Sequence, residues 1–330
     1  MTVPPPLVAG SGVRVVAPSR SLQIIGQRER DIARARLEAL GLRVSLAAHV
    51  NRKDAFASTS VAHRVRDLKD AFEDPSVHLL HTAIGGFNSN QLLRQLPYRS
   101  IERNPKALCG YSDITALQHA ILAKTGLVSF SGPHFSTFGM LKGFDYIGSQ
   151  FHRALFETGR WEVPPSRSWS DDSFYRDQEH RHFHRRTGPW VLHPGRARGR
   201  VLGGNLCTLN LLQGTEYLPD LEGSILFVED CDEDGTPEYF DRNLQSVLHL
   251  PSARGIQALL IGRFESKSRM TRELLHRIVE SKPELSDIPV VVDLDFGHTY
   301  PMFTFPIGGH ARVEAGRGRA QLTLSLDRAD

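Results

Sequence analysis

Residues 110–115, Gly-Tyr-Ser-Asp-Ile-Thr, have the composition of a turn that presents a nucleophile. They follow the apolar run 107–109 and open a stretch with apolar residues at helical spacing, which predicts a strand, a sharp turn and a helix. A serine at such a turn projects its hydroxyl beyond the sheet edge, and the N–H groups of the helix N-terminus favour a developing oxyanion. Ser112 is therefore a candidate nucleophile.

The same serine has a simpler explanation. Serine is a preferred helix N-cap, and a turn from strand to helix needs a cap. Only half of the usual Gly-x-Ser-x-Gly pattern is present, because Ile114 stands where the second glycine would be. The local sequence alone therefore favours capping over catalysis, and a catalytic role requires a base, an acid and oxyanion donors.

Three other strand ends supply residue types that could complete such a site. The apolar run 224–228 ends at Glu229, an acid that could orient a histidine. The run 290–294 is followed by His298, whose imidazole can accept and return a proton near neutral pH. Gly85 and Gly86 end a predicted strand, and glycine lets a backbone N–H approach a substrate oxygen. Solvated carboxylates, a loop histidine and a tight turn are the alternatives.

Two further clusters are consistent with metal or anion binding. His180, His182 and His184 alternate within an arginine-rich segment, where either a metal site or a solvated face fits the pattern. The arginines there either are solvated or attract an anionic substrate; they are Arg176, Arg181, Arg185, Arg186, Arg196, Arg198 and Arg200. The motif Asp-x-Asp-x-Asp-Gly at 230–235 resembles the start of a calcium loop, but Pro237 and a preceding strand argue against one.

Composition limits the class of protein. The chain has 330 residues, 23% charged and 40% hydrophobic, which is typical of a globular protein of one or two domains. A formal net charge of +3 gives no argument for binding a nucleic acid polymer. Three cysteines without close pairing disfavour a disulfide framework and a structural zinc site. We find no membrane span or signal segment, so we expect a cytoplasmic protein that does not associate with membranes.

The order of elements predicts an α/β fold. Strands and helices alternate up to about residue 160, as in parallel βαβ units. We therefore expect an N-terminal parallel α/β domain of the flavodoxin or Rossmann type over residues 1–160. A polar, irregular connection is predicted over residues 161–197, and a smaller, strand-rich α+β domain over residues 198–330, ending in a hairpin that turns at residues 316–318.

Taken together, five segments resemble a known family. They are residues 84–90, 110–117, 203–206 with 214–215, 225–230, and 297–299 with 306–308. In this order they resemble the serine peptidases that comprise bacterial LD-carboxypeptidases and the microcin C immunity proteins. The resemblance covers most of the chain, and the motifs are specific as a set.

The resemblance implies a Ser–Glu–His triad without metal or cofactor. By motif position, Ser112 would be the nucleophile, His298 the base and Glu229 the orienting acid. The backbone N–H groups of Gly86 and Asp113 would form the oxyanion hole. The nucleophile would come from the N-terminal domain and the histidine and glutamate from the C-terminal domain. Homodimers are usual in this family, so we expect a homodimer.

Two substrates are compatible with the resemblance, both small and anionic. Many carboxypeptidase members carry Arg-Gly-Gly-Tyr-Gly at the oxyanion loop, whereas residues 84–88 here are Ile-Gly-Gly-Phe-Asn. This difference, together with Trp169 and Trp190 in the connection, favours a microcin C-like peptidyl-nucleotide over a murein tetrapeptide that would release D-alanine. A tryptophan could stack on the nucleobase or only pack the connection onto the domains. Asn205 is a further candidate for substrate binding, and a non-catalytic nucleotide- or sugar-binding module is the remaining alternative.

Overall fold

The protein is described by a computed structural model over residues 1–186, 188–231, 237–316 and 318–327. The strands are β1 (Gly12–Val16), β2 (Arg43–Leu46), β3 (Val77–Thr82), β4 (Ala107–Gly110), β5 (Ser129–Ser131), β6 (Arg160–Glu162), β7 (Ser168–Trp169), β8 (His184–Arg185), β9 (Trp190–His193), β10 (Gly195–Asn205), β11 (Ser224–Glu229), β12 (Ala258–Gly262), β13 (Val290–Leu294), β14 (Phe305–Ile307), β15 (His310–Gly316) and β16 (Arg319–Ser325). The α-helices are α1 (Gln27–Ala39), α2 (Val61–Glu73), α3 (Tyr98–Arg103), α4 (Thr115–Thr125), α5 (Asp145–Phe156), α6 (Leu206–Asn210), α7 (Pro237–Leu248) and α8 (Arg272–Glu280).

The first sheet has six strands in the order β2-β1-β3-β4-β5-β14. All neighbours are parallel except β14, which runs antiparallel to β5. The five parallel strands have the flavodoxin order, which is one of the two types that the sequence predicted. In such a sheet the direction of winding reverses between β1 and β3, and ligands bind beyond the carboxyl ends of the strands at that point.

The second sheet has eight strands in the order β6-β16-β15-β10-β11-β12-β13-β9. Its four central strands, β10 to β13, are parallel, and antiparallel strands flank them on both sides. This is the strand-rich mixed architecture predicted for the C-terminal half. β15 and β16 form the predicted terminal hairpin, although Arg317 in its turn lies outside the described residues.

Membership of the sheets crosses the boundaries predicted at residues 160 and 198. β14, from the C-terminal part, covers the edge of the first sheet beside β5. β6, which spans the predicted boundary at residue 160, and β9, which lies inside the predicted connection, form the two edges of the second sheet. Because open sheet edges expose unpaired backbone groups, these short strands complete each sheet with residues from outside the part of the chain that forms most of it.

One continuous cluster of buried apolar side chains fills the interior of both sheets. Three phenylalanine rings pack together with centroids 4.7 to 5.7 Å apart: Phe227 on β11, Phe296 after β13, and Phe305 on β14. This aromatic contact packs β11 of the second sheet against β14 of the first sheet and so joins the two sheets. Among the described residues, no helix has the length and apolar character needed to cross a membrane.

Candidate active site

Ser112 lies at the turn between β4 and α4, and its backbone is strained. Its φ angle is +61°, a left-handed conformation that is unfavourable for residues other than glycine. The two helical segments that follow have no side-chain cap, so the hydroxyl of Ser112 does not serve as an N-cap. Instead, Ser112 Oγ lies 3.1 Å from Nε2 of His298. This geometry is that of a nucleophile elbow rather than of a simple helix start.

His298 and Glu229 meet the serine from the second sheet. Glu229 ends β11, and its Oε2 lies 2.7 Å from Nδ1 of His298. An ionised carboxylate only accepts hydrogen bonds, so Nδ1 donates to Glu229, and Nε2 is left to accept the proton of Ser112. The Glu229 side chain is only 4% exposed, which places its charge out of bulk water. The three side chains therefore form one continuous hydrogen-bonded chain.

The glycine pair after β3 packs against the serine. A Cβ on Gly85 would lie 3.0 Å from Ser112 Cβ and 3.1 Å from its Oγ. A Cβ on Gly86 would lie 2.3 Å from Oγ of Ser19, so this position has no room for a side chain. Asp113 follows Ser112 in the first turn of a 3-10 helix, where backbone N–H groups have no partner within the helix. The amide of Asp113 thus directly follows the nucleophile, and the amide of Gly86 follows a residue that contacts it.

The side-chain carboxylate of Asp113 holds the loops around Ser112 together through hydrogen bonds. Its Oδ2 accepts hydrogen bonds from the hydroxyl of Ser19 and from the backbone N–H of Ser89, the latter at 2.9 Å. The hydroxyl of Ser89 in turn donates to the carbonyl of Asp113 at 2.6 Å. These bonds tie the residues after β1, β3 and β4 together. The side chain of Asp113 is therefore structural, and only its backbone N–H is available for substrate.

His134 is a buried histidine beside the nucleophile that the sequence analysis did not single out. Its Nδ1 lies 2.7 Å from Oγ1 of Thr82, which already donates to the carbonyl of Cys109 at 3.1 Å. With the Thr82 hydroxyl donating to Cys109, Nδ1 carries the proton, and Nε2, which has no hydrogen-bond partner among the described residues, lies 3.4 Å from a Cβ position on Gly85. Burial lowers the pKa of His134 well below its ordinary value, so the ring is neutral. The one sequence signal for His134 was its position shortly after strand β5.

A buried ion cluster holds the loop that carries His298, and the sequence analysis also missed it. The side chain of Asp295 contacts Arg186 and accepts from Arg263 at 2.7 Å, while Arg263 also donates to Asp293 at 2.9 Å. Ser166 donates two further hydrogen bonds to Asp295, at 2.7 and 2.8 Å. The connection after β6 is thereby fixed to the end of β13. The alternation of Asp293 and Asp295 at the end of an apolar strand was the available sequence signal.

The candidate binding residues lie in two different surroundings. Trp169 and Trp190 line one cavity of about 230 Å³ beside β12, with the guanidinium groups of Arg263 and Arg272 each 5.2 Å from a tryptophan ring. Asn205 ends β10, and its Oδ1 accepts from the N–H of Thr208 at 2.9 Å, so it caps α6. The side chain of Asn205 is buried at the strand position next to Glu229.

The histidines considered as a metal site are not assembled into one in the described residues. His180, His182 and His184 are exposed and contact Asp177, Asp172 and the ring of Trp169, respectively. Three of the residues in the calcium-like motif, Asp232, Asp234 and Gly235, lie outside the described residues. Within residues 1–186, 188–231, 237–316 and 318–327, no group of three histidine, cysteine, aspartate or glutamate side chains could hold a metal ion. Arg181 and Arg186, two of the arginines considered for a solvated face, are buried.

The chain belongs to the LD-carboxypeptidase family of serine peptidases, family S66. Residues 13–132 match the family description of the LD-carboxypeptidase N-terminal domain, and residues 198–313 match the C-terminal domain. The chain is 49% identical to the putative carboxypeptidase YocD of Bacillus subtilis, over 96% of this chain and 98% of that protein. The crystal structure of an MccF-like protein from Bacillus anthracis superposes with a TM-score of 0.97 at 44% identity, and covers 99% of this chain and 100% of that chain.

More distant relatives represent both branches that the sequence suggested. The microcin C7 self-immunity protein MccF, in complex with aspartyl sulfamoyl adenosine, has a TM-score of 0.89 at 26% identity and full coverage of both chains. The murein tetrapeptide carboxypeptidase of Pseudomonas aeruginosa is 28% identical over 86% of this chain and 87% of that protein. Membership of a peptidase family favours the enzyme over the non-catalytic binding module. The protein is a serine peptidase of the carboxypeptidase type.

Proposed function

We propose that the enzyme hydrolyses an amide bond through Ser112, His298 and Glu229. The observation that carries this proposal is the hydrogen-bonded chain from Ser112 Oγ through His298 to Glu229, with separations of 3.1 and 2.7 Å. Both distances are within the range for proton transfer between a nucleophile, a base and an orienting acid.

In the proposed reaction, Ser112 attacks the scissile carbonyl while His298 accepts its proton. Glu229 stabilises the imidazolium that forms, and the N–H groups of Gly86 and Asp113 bind the tetrahedral oxyanion. His298 then protonates the leaving nitrogen, and water releases the acyl group from Ser112. Each of these steps uses groups of this chain.

As substrate we propose a microcin C-like peptidyl-nucleotide or a related aminoacyl-adenylate mimic. The support is the similarity to MccF, whose structure with aspartyl sulfamoyl adenosine covers the whole chain, and the cavity that Trp169 and Trp190 line. Arg272 lies over one ring of this pair, Trp190. In this proposal a nucleobase stacks on Trp190, and Asn205, beside Glu229, contributes to the wall of the binding site.

A murein tetrapeptide is the second candidate substrate. It is favoured by the similarity to the murein tetrapeptide carboxypeptidase of Pseudomonas aeruginosa. Here the enzyme would cleave between the L-centre of the diamino acid and the terminal D-alanine. The two candidates share an amide bond and a negative charge, and they differ in the group that leaves.

Product masses distinguish these candidates. The purified protein is incubated separately with a murein tetrapeptide and with a peptidyl-nucleotide, and the products are identified by mass spectrometry. We expect cleavage of the peptidyl-nucleotide at its terminal amide, at a rate well above that of tetrapeptide cleavage. Release of D-alanine at the higher rate would transfer the assignment to the murein substrate, and cleavage of neither would contradict both.

We also propose a homodimer of chains organised as residues 1–160, 161–197 and 198–330, acting in the cytoplasm. These proposals rest on the family resemblance and on the order of the elements. Sedimentation of the purified protein tests the dimer, because a protein of 36.9 kDa that sediments as a single chain at micromolar concentration contradicts it.

A further inference from the structure

Arg20 is a cation placed beside the amide proposed to bind the oxyanion. It follows β1, and its backbone N–H donates to the carbonyl of Gly85 at 3.2 Å. Its Cγ would lie 2.9 Å from a Cβ on Gly86, so the side chain leaves the backbone directly against that residue. β1 and β3 are the strands between which the winding of the first sheet reverses, the position where flavodoxin-type folds bind ligands.

The guanidinium of Arg20 is held in place without being neutralised. It lies 5.8 Å from the centroid of the Phe87 ring, a cation–π arrangement that orients the group but leaves its N–H donors available. In the part of the chain that the structure describes, no carboxylate lies within ion-pair distance of Arg20. By contrast, Arg186 is paired with Asp295, and Arg263 is paired with both Asp293 and Asp295.

We propose that Arg20 binds the anionic group on the leaving side of the scissile bond. The inference rests on the proposed function, in which the carbonyl oxygen lies against the Gly86 amide. An oxyanion lies about 3 Å from its donors, and the next residue of a peptide is about 3.8 Å further along. The distance from Cγ of an arginine to its guanidinium is about 4 Å. The side chain of Arg20 therefore reaches the group one residue beyond the scissile carbonyl.

Both proposed substrates carry a negative charge at this place. In a tetrapeptide it is the terminal carboxylate of D-alanine, and in a peptidyl-nucleotide it is the phosphoryl group of the part that leaves. A planar guanidinium binds either group through two parallel hydrogen bonds. Arg20 is therefore a specificity residue that selects a bond next to an anion, and the chemistry of the two anions is shared.

The test compares a charged with a neutral leaving group. An acyl peptide ending in D-alanine and its C-terminal carboxamide are assayed for kcat/KM with the wild type, Arg20→Gln and Arg20→Lys. We expect the wild type to prefer the carboxylate by about tenfold to a hundredfold, as for a charge-assisted hydrogen bond. Arg20→Gln should bring the two rates within about threefold, with the carboxamide rate unchanged, and Arg20→Lys should retain part of the preference.

A matched control and a third substrate complete the design. Arg43→Gln alters an exposed arginine at the amino end of β2, the opposite edge of the sheet, and should keep the full preference. A peptidyl-nucleotide assayed with the same variants shows whether a phosphoryl group is the anion that Arg20 binds. Arg20→Gln losing activity equally on the carboxylate and the carboxamide, or keeping the preference, would overturn the proposal.

Binding separates this proposal from the proposed function. In Ser112→Ala and Ser112→Ala/Arg20→Gln, calorimetry measures the dissociation constants of the carboxylate and carboxamide ligands without turnover. We expect the second substitution to weaken binding of the carboxylate by about tenfold or more, and that of the carboxamide by less than twofold. If the wild type hydrolyses neither these ligands nor the peptidyl-nucleotide, the proposed function fails, and these dissociation constants still decide the role of Arg20.

Discussion

Replacing Glu229 by glutamine removes one charge from the proposed triad and little else. The side chain is 4% exposed, and its Oε2 lies 2.7 Å from Nδ1 of His298. Two unit charges about 4 Å apart interact by about 4 kcal/mol at an effective dielectric constant of about 20. The glutamine amide keeps a dipolar part of this stabilisation of the imidazolium. We therefore expect kcat to fall by about 10²–10³-fold, equivalent to about 3–4 kcal/mol.

The orientation of the glutamine sets the upper limit of this effect. If its oxygen accepts from Nδ1, His298 keeps its tautomer, and only the charge is lost. If its NH₂ faces Nδ1, Nε2 becomes the protonated atom and no longer accepts the proton of Ser112, so the loss approaches about 10⁴-fold. KM should change little in either case, because Glu229 acts after substrate is bound.

Steady-state kinetics, with a control for folding, tests the role of the Glu229 carboxylate. kcat and KM are measured for Glu229→Gln and for Glu222→Gln, an exposed acid just before the same strand. The control should keep wild-type kinetics, and thermal unfolding should show both variants folded. A folded Glu229→Gln enzyme with kcat within tenfold of the wild type would refute the role given to the carboxylate.

Three further predictions follow from the geometry. Gly85→Ala places a Cβ 3.0 Å from Ser112 Cβ, and should lower kcat by about tenfold or more while the enzyme stays folded; an unchanged kcat would contradict the contact. Trp190→Ala should lower kcat/KM by about fivefold to a hundredfold for a peptidyl-nucleotide, and an equal loss on a tetrapeptide would exclude stacking. Burial lowers the pKa of His81 and of His119 to about 4. Because the unfolded chain then binds more protons below pH about 6.5, the free energy of unfolding should be full above that pH and fall towards pH 4, by about 1.4 kcal/mol per pH unit for each histidine. Denaturant titrations of the wild type and of His119→Gln at several pH values measure the free energy of unfolding. An unaltered pH dependence of this free energy in the variant would contradict the prediction.

Periodicity and turn chemistry were enough to predict the alternation of strands and helices in the N-terminal part, but not β14, which joins the first sheet from the C-terminal part. The apolar spacing of residues 62–72 predicts a helix, and α2 spans Val61–Glu73. The apolar run 290–294 predicts a strand, and β13 is Val290–Leu294. Asn88 and the residues after it predict a capped helix beginning near Gln91, whereas the structure has a 3-10 helix, Ser89–Gln95. The segment ends there because Leu96, the residue before Pro97, has an extended backbone.

The second half shows what local sequence does not contain. β6, β8 and β9 are two to four residues long and are stabilised by pairing with distant strands, so no local period indicates them. The buried contacts of Arg186 with Asp295 were invisible for the same reason, since both residues are of types that usually lie at the surface.

Some residues of the candidate site had a sequence signal, and others are recognisable only in the folded chain. Ser112, Glu229 and His298 became candidates because each follows an apolar strand, and the family resemblance gave them their roles. Asn205 was considered as a ligand contact, and the structure shows that its oxygen caps α6. His134 follows a strand too, but its tautomer depends on the hydroxyl of Thr82, which only the folded chain brings to it.

The turnover number of Ser112→Ala tests the central claim most directly. The hydroxyl is the only group that this substitution removes, and the left-handed backbone at this position is equally available to alanine and serine. We expect kcat to fall by at least about 10⁴-fold with an unaltered unfolding midpoint. A folded Ser112→Ala enzyme that still turns over substrate at more than about one hundredth of the wild-type rate would contradict the assignment of Ser112 as the nucleophile.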